Sequence, residues 1–72
     1  MPLFNATTIS RSVASRRVMA RLSQQDLSKK SGVSVSAIRR LERGEGSMSV
    51  ENFCYIAEAL DCSLDDLLRL PQ

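Results

Sequence analysis

The sequence predicts an all-α fold: a compact five-helix bundle in one domain. Three observations predict it. Apolar residues recur at three- and four-residue spacing, with no strand-like alternation. Ser23, Ser34, Ser49 and Ser63 each precede such a run and suit the N-cap, where a side-chain oxygen accepts from an otherwise orphaned N–H. Gly32 and Gly44 follow two of the runs, where a left-handed residue commonly closes a helix. A chain of 72 residues has one modest core, because a domain this small buries only about 60% of its unfolded surface.

The elements follow in order. Thr7 or Thr8 caps a first helix reaching about Arg21, with Ile9, Val13 and Ala20 on one face and Val18 beside them. Ser23 caps a second, over about residues 24–31, which buries Leu27 and stops at Gly32; Gln24, Gln25 and Asp26 make its polar first turn. Val33 is a buried pivot. Ser34 caps a third helix over about residues 35–43, which turns Ala37, Ile38 and Leu41 inward and ends at Gly44. Ser49 caps a fourth, with Val50, Phe53, Ile56, Ala57 and Leu60 at core spacing. Asp61 and Cys62 make a turn. Ser63 then caps a short fifth helix containing Leu64, Leu67 and Leu68, with Asp65 and Asp66 at its positive end and Pro71 closing it. Residues 1–8 read as an N-terminal tail and 9–70 as the folded domain. Met1 to Phe4 fit either a frayed end or a partner contact, and Leu67, Leu68, Leu70 and Pro71 fit either plain core or an apolar strip for a second subunit.

Composition narrows the function. Residues 1–44 carry seven Arg and two Lys against Asp26 and Glu42, a net +7; residues 45–72 carry Arg69 against six carboxylates, a net −5. Such a molecule presents a basic face to polyanions and an acidic face elsewhere. No apolar run is long enough to span a bilayer, and MPLFNATT lacks the basic-then-apolar layout of a secretory signal, so a cytoplasmic location is expected. Cys54 and Cys62 lack metal-ligand spacing and there is no histidine; they read as reduced thiols, one or both filling core, with no metal or cofactor implied. An enzyme is not expected, since no nucleophile has a visible base.

The spacing from Gln24 to Glu42 carries the sharpest signal. Two short helices joined by a tight glycine turn cross steeply if a small residue (Ser28) lies at the crossing and Val33, Ile38 and Leu41 pin it. With those pins inside, the third helix shows Val35, Ser36, Arg39, Arg40 and Arg43 to solvent. That is the layout of a helix-turn-helix, whose second helix enters the DNA major groove. The strings LSQQDLSKKSGVSVSAIRRLERG and SVENFCYIAEALDCSLDDLL resemble the Cro and phage-repressor (XRE-type) helix-turn-helix family over residues 9–68. ISRSVASRRV is similar to the first helix of lambdoid phage repressors in particular. The chain departs from the family pattern at Arg21, where glycine is usual, at Ser28 and Ser31, and at Met48 in place of a proline.

The resemblance implies a lambda-repressor-like DNA-binding fold and a role for each exposed position. It assigns Val35, Ser36 and Arg40 to base edges. It assigns Gln24, Ser34 and Arg43 to the DNA backbone, and Arg17 with Glu42 to an ion pair joining the first and third helices, with Arg17 also near phosphate. Arg39 is assigned to phosphate, with a base contact or solvation also fitting it. The chemistry is compatible: arginine grips guanine O6 and N7 bidentately, worth about 1–3 kcal/mol of discrimination, and valine packs on a thymine methyl. Two function classes remain. One is a transcription regulator, a repressor acting as a homodimer on a near-palindromic operator, controlled by its concentration or by another protein because no further domain follows Gln72. The other is an antitoxin-like interaction module whose main partner is a toxin or co-regulator and whose DNA binding is secondary.

Overall fold

The computed structural model describes residues 6–45 and 48–69, with side chains from Thr7 onward. Five helices run through it: α1 (Ala6–Met19), α2 (Gln24–Ser31), α3 (Val35–Glu42), α4 (Val50–Ala59) and α5 (Leu64–Leu67). Among the described residues there is no strand. α2 coincides with the expected span, and α4 begins after the expected cap Ser49, with Leu60 as its C-cap. α3 stops one residue earlier, with Arg43 as its C-cap and Gly44 left-handed at φ 76°.

Local chemistry accounts for these ends. Ser23 Oγ accepts from the Asp26 N–H while the Asp26 carboxylate accepts from the Ser23 N–H, a reciprocal capping box. Ser63 and Asp66 repeat it at α5. Ser34 and Ser49 accept from Ala37 N and Asn52 N at 3.2 and 3.1 Å. Gly32, at φ 81°, closes α2 by donating its N–H to Ser28 O. Two further closures use non-glycine residues in the same left-handed region, Arg21 at φ 61° after α1 and Asp61 at φ 57° after α4. In each, the following N–H reaches back five residues, Leu22 to Arg17 O and Cys62 to Ala57 O. Asp tolerates that conformation better than Arg does, because a short polar side chain bonds locally.

Leu27, Ile38 and Ile56, on α2, α3 and α4, are wholly buried and meet at the centre with Val13 and Leu67. Val33 is buried as expected, and Ala37, Leu41, Phe53 and Leu60 are half-buried against the cluster. The structure corrects the reading of α1. Thr7 and Thr8 lie inside the helix and do not cap it, because helical turns already begin at Ala6. Val18 is 62% exposed, since at 100° per residue it falls about 140° round from Val13. Ala20 is exposed because α1 ends at Met19, one residue before it. The positions that α1 does bury include Ser10 and Ser12, whose hydroxyls donate to Leu41 O at 2.7 Å and Arg69 O at 2.8 Å.

α4 and α5 need smaller corrections. Val50 is exposed: it is the first residue of α4, and its side chain points back past the helix end. Ala59 takes an unpredicted core place. Leu67 is buried but Leu64 and Leu68 are partly exposed, and with Val50 they rim an apolar hollow of about 170 Å³ floored by Ile9, Phe53 and Leu67. Cys62 is half-buried against the core, whereas Cys54 is exposed and fills nothing. Met1 to Phe4, Leu70 and Pro71 lie outside the described residues.

Candidate nucleic-acid interface

Burial of Leu27, Val33 and Ile38 fixes the rotation of α3 about its axis. Ser36, Arg39, Arg40 and Arg43 are consequently exposed at i, i+3, i+4 and i+7 of one face, with Val35 half-buried beside them. The chain is thus able to show a cationic stripe on α3 with a small hydroxyl and a β-branched apolar group at its start. Ser34 heads the helix and its Oγ is engaged by the cap. The Arg40 side chain makes no hydrogen bond or ion pair among the described residues; it borders a shallow hollow with Leu41, Met48 and Asn52. Arg43 pairs with Glu45 at 2.6 Å, but both side chains are more than half exposed. Such a pair contributes little and yields readily to another anion.

Glu42 faces the opposite way. Its carboxylate receives Arg17 Nε at 2.8 Å and Arg17 Nη2 at 3.1 Å, while Arg17 Nη1 donates to Leu22 O at 2.8 Å. Both side chains are largely buried, at 16% and 8% exposure, and every side-chain nitrogen of Arg17 and both carboxylate oxygens of Glu42 have a hydrogen-bond partner. Removing one partner of a buried pair typically costs about 3–5 kcal/mol, because the other charge is stranded. The structure thus brings Arg17 and Glu42 together as expected, and occupies all three Arg17 nitrogens inward.

Gln24, at the first position of α2, is drawn into the same group. Its Nε2 donates to Glu42 Oε1 at 3.1 Å, and its Oε1 accepts from Arg39 Nε at 3.4 Å. Sequence reasoning missed this link, since a glutamine in a first turn gives no sign of its tertiary partner. It also missed Arg16, whose Nη2 donates to Asp66 O at 3.1 Å and whose Nε reaches Ser12 Oγ at 3.3 Å. Arg16 and Arg17 are adjacent and serve opposite ends of the molecule.

No helix of the described residues is long and apolar enough to cross a membrane, and no group of three or more Cys, Asp or Glu among them is placed to hold a metal ion. The family model HTH_3, helix-turn-helix, matches residues 13–67. The chain belongs to this family. A curated relative is the cryptic phage CTXphi transcriptional repressor RstR of Vibrio cholerae serotype O1, 32% identical over 59 residues. The match takes in 82% of this chain and 53% of RstR, so the chain spans about half the length of that relative. Among solved structures, the restriction-modification controller protein C.AhdI from Aeromonas hydrophila superposes with a TM-score of 0.82 at 29% identity, over 86% of this chain and 94% of that one. An HTH_3 family transcriptional regulator from Vibrio cholerae gives 0.81 at 26% identity, over 86% and 35% of the two chains. The family is thus the XRE-type, phage-repressor-like one, and these relatives are transcription regulators rather than enzymes.

Proposed function

We propose that the protein is a sequence-specific DNA-binding transcription regulator acting in the cytoplasm, a repressor with residues 9–70 as its DNA-binding domain. It binds as a homodimer, setting two copies of α3 in successive major grooves about 34 Å apart on a near-palindromic operator. The observation that carries this reading is the α3 stripe, with Arg40 unengaged among the described residues at its centre. Arg40 grips a guanine edge, Val35 packs on a thymine methyl and Ser36 senses a neighbouring base. Gln24, Ser34, Arg39 and Arg43 take phosphates, and Arg17 lies close enough to the backbone to add to the local field. The transcriptional repressor RstR and the restriction-modification controller protein C.AhdI, both similar to this chain, support this role.

Dimerisation is supported by a count: one eight-residue helix meets too few base pairs to single out a genomic site. The apolar rim of Val50, Leu64 and Leu68 supplies a surface for it on the side of α4 and α5.

Fluorescence anisotropy tests the reading. The purified protein is titrated at about 0.15 M salt, where non-specific binding is weak, into a duplex from immediately upstream of its own gene and into a scrambled control. Tight binding to the upstream duplex alone, reduced about 10- to 100-fold by Arg40→Ala with unchanged melting temperature, is expected. Equal weak binding to both duplexes would place its operator elsewhere. Absence of binding even at low salt would overturn the reading in favour of a protein partner such as a toxin.

A further inference from the structure

Gln24 lies between charges of opposite sign, Glu42 on one side and Arg39 on the other. A carboxylate only accepts hydrogen bonds and a guanidinium only donates them. The Gln24 amide is therefore held in one orientation, nitrogen toward Glu42 and oxygen toward Arg39. Glu42 is itself fixed by the two bonds from Arg17, so a continuous chain runs Arg17–Glu42–Gln24–Arg39 across α1, α3 and α2. The first link is buried and the last is exposed.

We infer that Gln24 and Arg39 form one coupled DNA-backbone clamp, oriented from behind by Glu42 as a positioning residue. This rests on the proposed DNA-binding reading and deepens it. The amide oxygen is taken by Arg39 and one amide hydrogen by Glu42, so the group Gln24 offers outward is its second N–H, a donor suited to a phosphate oxygen. A flipped amide would instead present its oxygen to phosphate, which has no hydrogen to give. Arg39 spends its Nε on Gln24 and keeps both Nη groups, the pair that meets an oxyanion side by side. Tied through Nε to Gln24, Arg39 is assigned to the same backbone contact as Gln24, in keeping with the phosphate role proposed for it above. Glu42 touches no DNA; it acts through Gln24.

A double-mutant cycle on DNA affinity separates coupling from mere proximity. Dissociation constants are measured by anisotropy on one 20-base-pair duplex for the wild type, Gln24→Ala, Arg39→Ala and the double variant, from about 50 to 200 mM salt. All four are expected to fold, with melting temperatures close to one another, because both side chains lie at the surface of the bundle. Each single variant is expected to weaken binding about three- to tenfold, and the double no more than about twofold beyond the weaker single. Arg39→Ala is also expected to reduce the slope of log K against log salt by about one. In a Glu42→Gln background, if that variant folds, the two effects are expected to multiply. Multiplication in the wild-type background would overturn the clamp. If the wild type itself fails to bind DNA at 50 mM salt, the proposed function and the clamp fall together. If it binds, loses affinity with Arg40→Ala, and still gives multiplying effects, the clamp alone falls.

Discussion

α1 and α3 bury themselves by different means. α3 places Ile38 wholly inside and Arg39 and Arg40 outside, with Glu42 at its end the one charged side chain turned inward. α1 buries Ile9 and Val13 but also Ser10 and Ser12, and it docks through donors. Ser10 reaches Leu41 O in the last turn of α3; Ser12 and Arg16 reach Asp66 O and Arg69 O at the end of α5. Helix C-termini carry carbonyls with no partner in their own helix. α1 adds donors there: Ser10 and Arg16 join the backbone N–H groups already at Leu41 O and Asp66 O, and Ser12 reaches Arg69 O, so these three side chains act as tertiary caps. Apolar periodicity therefore reveals a helix such as α3 and misplaces one such as α1.

The strongest way to break this contrast is to empty the apolar side. Ile38→Ala removes a fully buried side chain at the heart of the bundle and is expected to cost about 2–5 kcal/mol in urea unfolding followed by circular dichroism. In a domain of this size that approaches the whole stability. A loss under 1 kcal/mol would mean that α3 is not pinned as described.

The polar side is tested by Ser12→Ala, which makes α1 more apolar yet strips the partner from Arg69 O. About 1–3 kcal/mol of destabilisation is expected in the same assay. A more stable variant would show that burial of a hydroxyl there is a cost and not a tie.

Backbone strain gives a smaller effect of opposite sign. Arg21 holds a left-handed conformation that glycine adopts freely, so Arg21→Gly is expected to raise stability by up to about 1 kcal/mol, part of the gain being lost to the freer unfolded chain. An unchanged or lower midpoint would contradict it.

The smallest effect is on pH. Hydrogen bonds from the Ser23 and Ser63 backbones, then from their hydroxyls, hold the Asp26 and Asp66 carboxyls below the ordinary aspartate value. Since both are lower folded than unfolded, their stabilisation is present above about pH 4 and is lost as pH falls through the folded values. Paired Asp26→Asn and Asp66→Asn changes are expected to flatten that acid limb of the melting curve against pH; an unaltered limb would assign it to other groups.

The sequence made α2, α3 and their turn legible because serine caps, glycine stops and a separated apolar face all agree there. The same residues exposed the cationic stripe, whereas the Arg17–Glu42 pair was implied only by the family resemblance. Glu42's bond to Gln24 was not legible, since it joins positions 18 apart on two helices whose crossing only the fold sets. Nor were the left-handed Arg21 and Asp61, which carry no glycine to mark them, or the exposure of Val50, where apolar spacing continues past the bundle's edge.

The proposed contrast between an α3 that faces DNA and a structural α1 and α5 is tested most directly by ¹⁵N NMR of the wild type titrated with a 20-base-pair duplex at low salt. Shifts concentrated at Gln24, Ser34 to Ser36, Arg39, Arg40 and Arg43 are the expected result. Shifts concentrated on α4 and α5, or none at all, would contradict a helix-turn-helix that meets DNA through α3.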